Sequence, residues 1–183
     1  IDDFEATKTN IDIHYPSYWK LASTPRSDMY PEYSLSNNVD YNKNRALLAW
    51  YTVDPIFGTP LNNTPQHIKN DLDMMSDHRT RIVYEDELYP NKQVMANADV
   101  RLALLNLSYY PDERGQYNIS ADEIGVDGKL MNPESRWGGI MRKLDNTDFE
   151  KANIEYIEFW LMDPFLTNPD VDFEGGDMYI DLG

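Results

Sequence analysis

Cysteine is missing altogether from these 183 residues. That excludes a disulfide framework and a thiolate metal site, and it leaves the compartment open, since a periplasmic or surface protein can fold without either. Long apolar runs are missing too. None approaches the roughly 20 residues of a membrane helix, and no signal-peptide pattern opens the chain. Basic residues are scarce, 16 against 32 acidic ones, for a net charge of −16. Such an excess repels nucleic-acid phosphates and disfavours an anionic lipid face. Histidine is down to His14, His67 and His78, which lie far apart and outside any HExxH or HxH spacing. No GxSxG elbow occurs. Gly138-Gly139 lacks the Lys-Ser/Thr and helix start of a phosphate loop, and reads instead as a bulge or a close backbone approach.

What remains has the composition of a folded chain: 41% hydrophobic and 26% charged residues argue against disorder. The aromatic share of 13%, with 13 Tyr and 4 Trp, leans toward strands, because flat rings pack well on pleated surfaces. The length suits a single soluble domain over residues 1–183 with a core of its own. Residue 1 is Ile, and the chain stops just after a strand-like run. Both ends therefore read as cuts from something longer.

Period-two patterning dominates. Asn44 to Val53 places Leu47, Ala49, Tyr51 and Val53 on one face and Leu48, Trp50 and Thr52 on the other. Both faces are largely apolar, as for a strand inside a two-layer structure. Ile154 to Met162 repeats the theme, and each run ends in Asp-Pro, at Asp54-Pro55 and Asp163-Pro164. The Asp caps a turn and the Pro cannot donate to a ladder. Leu105, Leu107 and Tyr109 alternate up to Pro111, Trp137 to Met141 resumes a strand, and Met178, Ile180 and Leu182 form a closing one. Asp127-Gly128 signals a tight turn. One helix is expected, with Thr64 as N-cap, Pro65 at N1, and Ile68, Leu72 and Met75 as its apolar stripe. Together these predict a mostly β protein: a jelly-roll-like β-sandwich with one short helix and long loops. The Asn44 and Asn153 strands would form its adjacent layers.

Candidate chemistry is thin, and no catalytic residues are assigned. Asp170, Asp172 and Glu174 alternate in a loop, with Asp177 following two glycines. Closely spaced carboxylates supply the oxygens calcium wants, so a structural Ca2+ is the candidate cofactor, although the twelve-residue calcium-loop pattern is incomplete. A solvated acidic loop is the competing reading. Glu155 and Glu158 are three apart on a strand and point to opposite faces, which argues against a glycosidase pair. Of the tryptophans, Trp50 and Trp160 sit in apolar strands and are expected in the core. Trp19 and Trp137, flanked by Lys20 and Arg136, are the candidate binding residues, for a glycan or for another protein surface.

The run NPESRWGGIMRKLDNTDFEKANIEYIEFWLMDPF, Asn132 to Phe165, resembles the SprA (Sov) family of outer-membrane translocons of the type IX secretion system. IDDFE at Ile1, YWKLASTP at Tyr18, NRALLAWYTVDP at Asn44, LNLSYYPDERGQYN at Leu105 and GGDMYIDLG at Gly175 fit the same family in the same order. The resemblance implies a giant transmembrane β-barrel that passes folded cargo, including gliding adhesins, across the outer membrane. The segments lack the lipid-facing alternation and aromatic girdles of barrel strands, so a soluble domain attached to the barrel is expected. Its implied partners are the rest of the barrel, secreted cargo and an accessory subunit such as PorV. Its implied role is structural, with no enzymatic activity. The alternative is a carbohydrate-binding jelly-roll module at the cell surface, suggested by fold analogy alone.

Overall fold

The structure, a computed structural model, describes residues 11–93, 100–144, 148–151, 154–166 and 175–182. In chain order its regular elements are β1 (Lys20–Leu21), β2 (Ala46–Tyr51), α1 (Gln66–Lys69), α2 (Leu72–Ser76), α3 (Glu85–Leu88), β3 (Asn106–Arg114) and β4 (Ile140–Met141). The chain divides into two compact units. A sheet unit comprises Ala6–Val53 and Ala103–Ile154; a helical unit comprises Ile1–Glu5, Asp54–Leu102 and Glu155–Gly183.

The expected jelly-roll β-sandwich does not form. Among the described residues the strands make two separate two-stranded antiparallel sheets, β1–β4 and β2–β3, and neither closes. The Asn44 strand is real as β2, but its partner is β3, with Leu48 opposite Tyr109 and Trp50 opposite Leu107. Ile154–Met162, expected as the facing layer, carries no strand, and neither does Met178–Leu182. Alternation specifies which side chains share a face; it does not supply a ladder partner. Prolines shorten the elements further. Pro16, Pro31, Pro55 and Pro133 each open a 3-10 turn, using their fixed φ where a missing N–H costs nothing.

Within the sheet unit, β3 runs through Pro111 instead of ending there. The register explains how. Ala46 faces Arg114 while its neighbour Leu47 faces Tyr110, so Pro111, Asp112 and Glu113 bulge out of the ladder, where a proline does no harm. The bulge is held by the Leu130 N–H on the Asp112 carbonyl at 2.7 Å. Leu130 itself pairs with Ile124 across the expected Asp127-Gly128 turn, with Gly128 at φ +82°. The apolar core of this unit is small: Ala46, Leu48, Leu130 and Trp137 are buried. Two glycines permit its closest approaches. A Cβ on Gly138 would lie 2.9 Å from Leu48 Cβ and 3.0 Å from the Tyr109 ring, and one on Gly115 would lie 2.2 Å from the Ala46 carbonyl oxygen.

The helical unit corrects a second expectation, the single helix from Thr64. Two short helices stand in its place. Asp71 ends the first by accepting the Met74 N–H at 2.9 Å, a side-chain cap that competes with continuing the helical ladder. Thr64 is buried but caps backward, accepting the Leu61 N–H at 2.9 Å. Of the predicted stripe, Ile68 is buried and Leu72 is exposed. α3 is closed at its start by Glu87, which accepts both the Tyr84 N–H and an Arg81 N–H at 3.0 Å. No helix among the described residues is long and apolar enough to cross a membrane.

Candidate functional site

Two features of the sheet unit carry its chemistry: a buried polar network behind β2, and an open basic groove beside β1 and β4. The network grows from the first half of the SRWGG run. Arg136 enters it with a side chain only 1% exposed. Its guanidinium donates to the Met131 carbonyl from Nε and Nη2, to the Lys43 carbonyl and Asn44 Oδ1 from Nη1, and to Glu123 Oε2 from Nη2. Five contacts match its five donors, which is the way a buried guanidinium is made tolerable. Asn44 passes the chain on, donating to Glu32 Oε1 at 2.8 Å. Glu32 is buried at 2% exposure, and among the described residues its Oε2 makes no hydrogen bond.

Arg45, also buried, donates to the Ala22 carbonyl and twice to Asn42 Oδ1, and lies 4.4 Å over the Trp137 ring. Burial lowers its pKa from the ordinary value. Asn118 completes the set, donating to the carbonyls of Lys43 and Arg45 at 2.9 and 2.8 Å. The segments around Ala22, Glu32, Asn44, Asn118, Glu123 and Arg136 are thereby laced together across long sequence separations. Burial of its phenol raises Tyr109, beside this network, to about 12. The arrangement is closed in on itself and presents no nucleophile, so what it can do is hold backbone in place.

The groove is of another kind. Asp12, Tyr18, Lys20, Met141, Arg142 and Lys143 line about 720 Å³. Lys20 sits opposite Met141 in the β1–β4 ladder, which the Ala22 N–H extends onto the Gly139 carbonyl. Arg142 stacks 5.4 Å from the Tyr18 ring centroid and 5.8 Å from that of Trp19, and donates to the Asp12 carbonyl. The Asp12 carboxylate accepts the His14 N–H at 3.1 Å and pairs with His14 Nδ1.

The residues expected to form sites fare differently. Trp137 is buried under Arg45, so its faces are closed to a sugar, and its Nε1 has no acceptor among the described residues. Trp19 is half-buried, its indole N–H given to the Ile13 carbonyl at 2.8 Å and its ring against Arg142; it borders the groove. Asp170, Asp172 and Glu174 lie outside the described residues. Asp177 is exposed and accepts from the Tyr179 hydroxyl at 3.2 Å, and its charge raises that phenol. Among the described residues no three His, Asp or Glu side chains gather as metal ligands. Glu155 and Glu158 are exposed. The sequence reading missed Glu32, Arg45, Asn118 and the Lys20–Arg142–Lys143 group. One signal for the first set was present: Arg45 and Arg136 each stand at the threshold of an apolar run, where an arginine must find carbonyls.

Trp160, expected in the core, is 60% exposed in the helical unit. Around it Tyr156, Ile157, Phe159, Leu161 and Leu166 are exposed as well. The Trp160 ring meets Tyr89 edge-on at 6.4 Å, and His78 Nε2 lies 2.9 Å from the Asp163 carbonyl oxygen.

No protein-family model matches the chain, and no curated protein matches its sequence.

Proposed function

We propose that this chain is a non-catalytic structural and interaction module of a SprA-like outer-membrane translocon, serving the export of cargo proteins and gliding adhesins. Its partners on this reading are the barrel, passing cargo and an accessory subunit such as PorV. The ordered set of segments from Ile1 to Gly183 that resembles that family is its sequence support. The observation that carries the interaction role is the exposed aromatic stretch Tyr156–Leu161. It has the two-sided apolar alternation of an interior strand, yet among the described residues it pairs with no ladder. Large contiguous apolar exposure of this kind marks a protein contact. The buried network supports the structural half of the reading, since its hydrogen bonds rigidify backbone and leave no reactive group open to solvent.

The test is made in the whole translocon. Removing the region equivalent to residues 1–183 should abolish cargo secretion. A stable, membrane-assembled deletion product that secretes normally would overturn the proposal.

A further inference from the structure

The exposed run in the helical unit has a backbone as open as its side chains. Among the described residues, no backbone N–H or C=O from residue 155 to residue 162 is hydrogen-bonded, and the run lies in neither helix, turn nor ladder. Open backbone groups along a segment of strand composition are a template for an added strand. Drawn out as a strand, the run has two apolar faces. Ile157, Phe159 and Leu161 share one with Glu155, and Tyr156, Trp160 and Met162 share the other with Glu158.

Charge restricts what can cover it. Between Lys151 and Gly183 the sequence holds eight acidic residues and no Lys, Arg or His. Glu155 and Glu158 are exposed, and among the described residues neither is in an ion pair. In the same unit Arg81 and Lys92 are engaged by Glu87 and Glu85. A neutral strand laid over the run would desolvate two unpaired carboxylates, which is costly. A second copy of the chain would set acid against acid: antiparallel pairing centred on Glu158 puts that residue opposite itself, and each copy carries −16. Granting the interaction role given above to this stretch, we propose that residues 155–162 take up, as an added strand, a basic segment of another polypeptide. That segment carries two Lys or Arg three residues apart among apolar, β-branched residues. The spacing follows from the run itself, since the positions facing Glu155 and Glu158 are three apart and lie on opposite faces of the added strand.

The experiment uses the whole chain and a fluorescein-labelled nonapeptide, TVKVTKVTV, followed by anisotropy at low salt. Saturable binding of one peptide per chain is expected, with the glutamate counterpart TVEVTEVTV binding at least about tenfold more weakly. E155K/E158K should reverse that preference. Both positions are exposed, and an unchanged melting curve verifies the fold. N-methylation at alternate residues of the peptide removes ladder donors and should abolish binding. Absence of saturable binding, the original preference retained in a folded E155K/E158K, or equal affinity of the N-methylated peptide overturns the proposal. Dimerisation of the chain in sedimentation, or capture by phosphatidylcholine vesicles, either of them lost in W160S, assigns the run to a second copy or to lipid and also overturns it. Failure to bind the peptide, with secretion still abolished by the deletion, strikes the strand partner alone. Peptide binding alongside normal secretion from the deletion product strikes the translocon role alone.

Discussion

Arg136 and Trp160 show, side chain by side chain, how sequence and environment part company. An arginine is normally kept at the surface by its charge, but Arg136 is buried because four acceptor atoms converge on it and take five hydrogen bonds. Three of those five bonds end on backbone carbonyls, of Met131 and Lys43, which no side-chain pattern announces. Lysine retains the charge and loses the planar fork. Arg136→Lys should therefore destabilise the chain by about 2–4 kcal/mol, given the cost of leaving buried acceptors unmet. Urea unfolding monitored by tryptophan fluorescence would measure it. A change below about 0.5 kcal/mol, the range of ordinary surface substitutions, would show that the network is dispensable. The tryptophans teach the same lesson. Trp137, beside an arginine, reads as a surface ring, but that arginine is itself buried and carries the ring in with it.

Elements are the scale at which the reading from sequence was most uneven. β2 was legible because its pattern is strong and its partner strand lies in the same unit. The Asp127-Gly128 turn and the tight packing at Gly138 were legible as well, since both rest on local backbone chemistry. The single helix was misread because the Asp71 cap, one side chain, outweighs the continuing apolar stripe. Ile154–Met162 was misread for a different reason: its composition is that of a core strand, while its surroundings leave it exposed. A consequence can be measured on the isolated chain. Trp160→Ser should shift stability by less than about 0.5 kcal/mol, as exposed positions do, whereas Trp137→Ala should cost about 3–5 kcal/mol as a large core truncation. Equal losses from the two variants would contradict the placement of both rings.

For the molecule as a whole, charge is the governing quantity. At −16, with acids outnumbering bases two to one, repulsion among carboxylates opposes the compact state. Exposed ion pairs such as Arg79–Asp77 and Lys151–Asp148 offset little of it, because pairs in high dielectric contribute weakly. Raising sodium chloride from about 0.02 to 0.5 M shortens the screening length from some 20 Å to about 4 Å. The melting temperature should therefore rise. A melting temperature that falls with salt would mean that ion pairs outweigh repulsion.

Covalent chemistry and residue order were enough to settle composition class, the absence of disulfides, a strand within Asn44–Val53, the turn at Asp54-Pro55, the tight turn at Asp127-Gly128 and the close backbone approach at Gly138. These depend on sterics and local hydrogen bonding, which act over a few residues. Which strands pair, which tryptophan is covered, where two arginines find their carbonyls and how three cations come to share one groove depend on segments far apart in the chain. Burial and electrostatics respond to distance in space, and only the folded arrangement sets that distance.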